Sequence, residues 1–357
     1  MAFEPQCLAT TIGSLPHSDT LEATRLMLRF TPRIPAWVQL SKRPQEGMLV
    51  QFTEGLPGFH RPLQGGNYFD VDAPSFQNGV SALYENYLAV FEEHSLARLE
   101  SYAISRDYAR GFHALLELLT SEGHRPQALK GQVTGPFTFG TSVTDGHGKS
   151  AYYDGLLRDI IVKSISLKAA WQIEQLRPHA ASVIISIDEP SLVGFGSSAY
   201  IGITADDIRK DLNEIIGCIH QAHGYAGLHC CENTDWSVVL GTGIDIISFD
   251  AYSYFDKLLL YADALRDFLA RGGILSWGLV PTADPALLHA ESTGTLLDKW
   301  HSRIEQLAQR GIAAERIAAQ SLITPSCGAG LLSPRDAELV LRLLSDLSRS
   351  LQHLYFG

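Results

Sequence analysis

Three residues in this sequence have the chemistry of a soft-metal site. His229 and Cys231 stand two apart in Gly227-Leu228-His229-Cys230-Cys231-Glu232-Asn233, at the end of an apolar run, and Cys327 closes another such run far downstream. Alternate side chains of a β-strand share a face, so His229 and Cys231 point one way and Cys230 the other. Imidazole and thiolate are ligands that zinc prefers. A structural finger needs two closely spaced ligand pairs, and this chain has one, which favours an open site with a position left for a carboxylate, water or substrate. Asp250 is the best-placed carboxylate for that position. Two thiolates already neutralise the ion, making it a poor activator of water but a good carrier of an added thiol, whose pKa coordination lowers. The chemistry implied is alkyl transfer to sulfur rather than hydrolysis.

Taken singly, a His on an apolar strand or a buried Cys is ordinarily a packing residue. The same-face pair plus a third ligand at another strand end shifts the weight to a metal. Cys7 and Cys218 lack such company and are assigned to packing, as is Cys230, which should face a helix layer. Asp188-Glu189-Pro190 ends the apolar run 183–187 and brings two carboxylates to a rim. One of them suits the amino group of a substrate; a helix cap or loop ion pair is the alternative. Gly146-His147-Gly148-Lys149-Ser150 ends like a phosphate-binding loop, but Val143 occupies the first glycine position, so it reads as a flexible solvated loop. Gly65-Gly66 marks a turn.

The elements that must position these groups alternate along the chain. Segments 7–13, 36–40, 128–134, 182–188, 226–231, 245–250, 273–280 and 321–327 are rich in β-formers, and helical periodicity covers 20–30, 84–120, 152–175, 205–223, 254–271, 285–310 and 333–353. Such alternation implies parallel strands with crossover helices, and eight units closing on themselves make an α/β fold of the (β/α)8 TIM barrel type. The expectation is one barrel over residues 1–357. An irregular insertion at 41–79 falls in the interval of about 85 residues after the second strand, where a segment that long is usually functional or a lid. Barrel active sites sit at the C-terminal strand ends. Those ends carry Ser14, Gln39, Gln132 with Thr134, Asp188 with Glu189, His229 with Cys231, Asp250 and Cys327, whereas the seventh offers only Thr282.

Composition narrows the class further. The 357 residues are 45% hydrophobic and 19% charged, an ordinary globular balance. A net charge of −11, from 28 basic and 39 acidic residues without a basic run, disfavours nucleic-acid binding. The N-terminus lacks the pattern of a secretory signal, and no apolar run of ~18 residues suggests a membrane span. Five cysteines in a chain this long suit reduced thiols or a metal rather than a disulfide framework, and the expected location is cytoplasmic.

Five ordered motifs carry a resemblance: Thr10-Thr11-Ile12-Gly13-Ser14-Leu15-Pro16, Gly131-Gln132-Val133-Thr134, Ile187-Asp188-Glu189-Pro190-Ser191-Leu192, His229-Cys230-Cys231 and Pro325-Ser326-Cys327-Gly328. The chain resembles the catalytic domain of the cobalamin-independent methionine synthases, zinc-containing (β/α)8 barrels, over nearly its whole length. The resemblance implies methyl transfer to the zinc-bound thiolate of homocysteine, giving methionine. It implies zinc ligation by His229, Cys231 and Cys327, and binding of the amino-acid part of homocysteine by Ser14 and Asp188. The fourth family ligand is a Glu on the next strand, and Asp250, one methylene shorter, stands nearest that position.

Departures from the family pattern bear on the donor. The N-terminal barrel of full-length members has no room here. Gly194 stands where a folate-contacting Glu belongs, Thr138 stands near the place of a Trp, and no His lies around 279–284 where the catalytic one is expected. The chain is most similar to the short single-barrel "core" relatives, for which a methylated corrinoid, free or protein-bound, is the implied donor. Its better leaving group tolerates the loss of a proton-donating His. The competing expectations are a zinc methyltransferase acting on another thiol of the coenzyme M type, a cofactor-free decarboxylase on the related porphyrinogen barrel, and a non-catalytic zinc- or corrinoid-binding partner. Asp188 discriminates against the coenzyme M type, because an amino-acid substrate needs an anion for its ammonium group and a sulfonate thiol does not; tight zinc would count against the decarboxylase, and absence of methyl transfer at full zinc occupancy would support the non-catalytic partner.

Overall fold

The computed structural model describes residues 3–62 and 66–357; residues 63–65, Gly65 of the expected turn included, lie outside the described residues. In chain order the strands are β1 (Leu8–Ala9), β2 (Ser14–Leu15), β3 (Gln39–Leu40), β4 (Phe59–His60), β5 (Tyr68–Phe69), β6 (Ala128–Thr134), β7 (Thr144–Asp145), β8 (Ser182–Asp188), β9 (Tyr225–Cys230), β10 (Ile246–Phe249), β11 (Ile274–Val280) and β12 (Ser321–Pro325). Seven of them form one curled parallel sheet in the order β1-β12-β11-β10-β9-β8-β6, with helices in the crossovers, a mixed α/β architecture of the TIM-like kind. β2 pairs with β3, Ala36 bridges Lys130 of β6, and the Gln39 amide donates to the Gly13 carbonyl at 3.0 Å. The chain between β1 and β3 thus spans the two edges of the main sheet.

Strand runs such as Ser182-Val183-Ile184-Ile185-Ser186-Ile187-Asp188 are apolar on both faces at their start and polar on one face at their end. That pattern divides the interior into layers. Leu8, Ile34, Ala128, Ile184, Ile246, Ile274 and Leu322 form a small apolar cluster of their own on the concave face, apart from the large core between sheet and helices. Two residues further along the strands, Thr10, Ser186, Ser248, Ser276 and Thr324 are buried on the same face. The concave side is therefore sealed at one end and becomes polar toward the C-terminal strand ends.

Local signals explain the helix starts. Thr204 forms a capping box with Asp207, and Ser333, followed by Pro334, accepts from the Asp336 amide. Several expected elements are divided. The expected strand 7–13 becomes β1 and then β2 because Gly13, at φ +138°, redirects the chain, and its missing Cβ lets the Gln132 amide pack against it. The expected helix 84–120 is Phe76–Phe91 and Arg110–Glu122, with a 3-10 segment Leu96–Tyr102 between them after His94 turns at φ +58°. The 254–271 helix breaks into Ala251–Leu258 and Ala262–Ala270, and the 285–310 helix into Pro285–Ala290 and Thr293–Ala308, where Ser292 caps the second.

Segment 41–79 is less irregular than its sequence suggests. β4 and β5 form a three-stranded sheet with β7, and the expected loop 146–150 is tied down there, its His147 and Lys149 amides donating to Asp145 Oδ1. Among the described residues, no helix is long and apolar enough to cross a membrane.

Candidate metal centre

β9 carries His229, Cys231 lies one residue beyond its end, and Cys327 lies two residues beyond the end of β12. In the parallel register His229 pairs with Asp188 on β8 and with Ser248 on β10, so these three polar side chains cross the concave face in one row. Ser248 Oγ is 3.1 Å from His229 Nδ1, His229 Nε2 is 3.0 Å from Cys231 Sγ, and the two sulfurs of Cys231 and Cys327 are 2.8 Å apart. All three ligand atoms fall within 4.8 Å of one another. His229 is buried and the two cysteines are half-buried, so the cluster opens toward the rim.

The donor set fits a zinc-type ion. Two thiols and an imidazole converge, and the second imidazole nitrogen is anchored by a hydroxyl, which orients the ring so that Nε2 faces the sulfurs. The thiols are unequal. The contact between the two sulfurs, with help from His229, holds the Cys327 thiol well below its ordinary range, and the same contact pushes the Cys231 thiol up.

The Cys327 loop is fixed from two sides. Its amide donates to Thr282 Oγ1 at 3.1 Å, and the Thr282 amide donates to Ser326 Oγ at 3.1 Å, both hydroxyls being buried. On the other side Ser14 accepts from the Ala329 amide at 3.1 Å, and a Cβ at Gly328 would lie 2.1 Å from Ser14 Oγ. Glycine at 328 is what permits the serine to approach the metal-ligand loop.

The two carboxylates of Asp188-Glu189 separate. Asp188 sits on the row with His229, accepts from Ser186 Oγ at 2.8 Å, and lies in the field of the buried Lys130. Burial raises the Asp188 pKa and Lys130 opposes that shift; burial also brings Lys130 down to about 8, although its Nζ donates to the Ile12 carbonyl at 2.8 Å. Glu189 turns the other way and accepts from the Phe137 and Thr138 amides at 2.9 and 2.7 Å and from Thr138 Oγ1 at 2.5 Å. Fully buried, it is pushed up to about 7 by desolvation against those hydrogen bonds. Glu189→Ala is expected to strand three buried donors and lower stability by about 3 kcal/mol in denaturant unfolding, with metal content unchanged. A shift below ~0.5 kcal/mol would refute this anchoring role.

Asp250 does not join the three-ligand cluster. It is buried, its Oδ1 accepts from the Ser253 amide at 2.8 Å, and it caps the helix Ala251–Leu258; burial raises its pKa. Cys7, Cys218 and Cys230 are buried in the core between sheet and helices, as their assignment to packing requires. Sequence reasoning missed Lys130 and Ser248 and undervalued Thr282 and Ser326. The available signal was alternation, since Lys130 shares a face with Gln132, and Ser248 with Asp250. At position 194 the Tyr200 ring fills the space a side chain would need, its Cε2 standing 2.7 Å from a built Cβ.

The fold and the cluster together define a TIM-like α/β protein with a thiol–imidazole site at the C-terminal strand ends. No family model matches the chain, and no curated protein matches it. Among solved structures it is similar to a Listeria monocytogenes protein provisionally assigned as a vitamin-B12-independent methionine synthase, with a TM-score of 0.52 and 12% identity over 95% of this chain and 86% of that one. At that identity the likeness is one of fold.

Proposed function

We propose that this protein is a zinc-dependent methyltransferase that methylates the thiolate of homocysteine to form methionine, with a methylcorrinoid rather than a methylfolate as donor. The observation that carries the reading is the convergence of His229 Nε2, Cys231 Sγ and Cys327 Sγ within 4.8 Å beside Asp188 and Ser14. The reading takes residues 1–357 as one closed barrel, with the chain from β1 to β3 completing the ring, and 41–79 as a lid. The five free cysteines accord with a cytoplasmic setting.

His229, Cys231 and Cys327 would hold the ion; Asp250, engaged as a helix cap, would have to turn to serve as a fourth ligand. Bound zinc would keep the substrate sulfur ionised at neutral pH. Asp188 receives the ammonium group of homocysteine, and Ser14 receives its carboxylate. The substrate thiol gives up its proton to solvent, the sulfur lone pair forms the new S–CH3 bond, and the methyl–cobalt bond pair departs with the corrinoid. The corrinoid leaves as cobalt(I) without needing a proton, so no His is required after β11. Asp188 supplies the anion that the ammonium group of an amino-acid thiol needs, which favours homocysteine over a coenzyme M type thiol.

Zinc-loaded protein is expected to form methionine from homocysteine and methylcobalamin, to lose that activity on chelation and to regain it with zinc. Methionine formed from methyltetrahydrofolate but not from methylcobalamin would overturn the donor assignment.

A further inference from the structure

Among the described residues, Ser164, Lys168, Trp171, Arg209 and Arg303 have buried polar atoms with no protein partner, and all lie on outer helices. The remaining orphans, Thr10 Oγ1, both ring nitrogens of His17 and Gln132 Oε1, belong to the segment around Ser14 and to β6 beside it. A buried polar atom left unpaired is destabilising, so a group that is orphaned in the protein is a place to look for a ligand.

Gln132 is fully buried, and its Nε2 donates to the Trp37 carbonyl at 3.3 Å. A carbonyl can only accept, so the amide orientation is fixed and Oε1 faces away as a free acceptor. Across the sheet Gln132 is registered with Ser186, which binds Asp188. A neutral acceptor and a carboxylate thus lie on adjacent strands of the concave face, the pairing that suits an ammonium group.

His17 is 4% exposed and follows Ser14 by three residues. Its loop is pinned at the rim, where Ser41 Oγ donates to the Gly330 carbonyl at 2.6 Å and the Ser41 amide donates to the Leu15 carbonyl at 3.3 Å. Both ring nitrogens of this buried imidazole are unpartnered, and its N–H, on the same short segment as the Ser14 hydroxyl, offers a donor that suits a carboxylate.

We infer that Gln132 and His17 are specificity residues for an α-amino-acid thiol, Gln132 with Asp188 holding the ammonium group and His17 with Ser14 holding the carboxylate. This rests on the thiol-acceptor reading of the site.

Calorimetric titration of zinc-loaded protein with L-homocysteine, 4-mercaptobutyrate and 3-aminopropane-1-thiol tests it. The wild type should bind homocysteine at least ~10-fold more tightly than either truncated thiol, the scale of one charge-assisted hydrogen bond. Gln132→Leu should weaken homocysteine and the aminothiol by ~10-fold and spare 4-mercaptobutyrate. His17→Phe should weaken homocysteine and 4-mercaptobutyrate and spare the aminothiol, with His17→Gln restoring most of the loss. Equal affinity of the wild type for all three thiols, or equal loss for all three in the variants, overturns the assignment. Stoichiometric zinc without preference among the thiols would end this inference and leave methylation of a simpler thiol standing. Preference for homocysteine in protein that takes up no zinc would do the reverse.

Discussion

Cys231→Ser is expected to weaken zinc binding by about 100-fold and to abolish thiol methylation, whereas Cys230→Ser, one residue away, should leave zinc content at one per chain. Zinc-site free energies of about 10–16 kcal/mol shared over four ligands assign roughly 3 kcal/mol to each, which is about 100-fold in affinity. Serine cannot supply the thiolate, and its neutral hydroxyl is a poor ligand for a soft cation. The contrast between neighbours follows from strand alternation. Cys231 Sγ lies 3.0 Å from His229 Nε2, whereas Cys230 packs in the core between sheet and helices. A serine at 230 buries a hydroxyl, at a cost of about 1–3 kcal/mol in stability. Metal analysis of the two variants, with unfolding curves alongside, checks both. Equal zinc content in Cys231→Ser and wild type would remove this ligand from the account.

Asp188→Asn is expected to raise KM for homocysteine by about 100-fold with zinc content intact. Removing one partner of a buried, hydrogen-bonded charge pair typically costs 2–5 kcal/mol, because the remaining charge loses its compensation. Here two cations are affected, the substrate ammonium and Lys130, which is buried with only the Ile12 carbonyl as a hydrogen-bond partner. A thiol that lacks an amino group should be much less affected. Steady-state kinetics with both acceptors separates the outcomes, and an equal rise in KM for the two would assign Asp188 to holding the sheet together rather than to the substrate.

The metal cluster was legible because strand alternation is a strict rule. The spacing of His229 and Cys231 implied a common face, and Cys327 needed only the expectation that the C-terminal strand ends share one rim. The long, buried strands β6, β8 and β11 were equally readable from their apolar runs. What escaped were contacts between elements far apart in sequence. Ser248 is bland until register places it against His229, and Lys130 looks like a solvated lysine until the curled sheet buries it against the Ile12 carbonyl. Glu189 and Asp188 are indistinguishable in sequence, yet one residue's rotation turns Glu189 to the first turn of Pro136–Ser142 and leaves Asp188 on the concave face. The break after Phe91 was missed because both flanking stretches are apolar enough to read as one helix, and the turn at His94 carries no Gly or Pro to mark it.

The central claim is that a metal held by His229, Cys231 and Cys327 receives the acceptor sulfur, and X-ray absorption at the zinc edge tests it most directly. Zinc-loaded protein should show two sulfur neighbours and nitrogen or oxygen in the rest of the shell. On addition of homocysteine the account predicts three sulfur neighbours, the third absent when homocysteine is replaced by 2-aminobutyrate, the same amino acid without its thiol. An unchanged shell with two sulfurs at saturating homocysteine would contradict it.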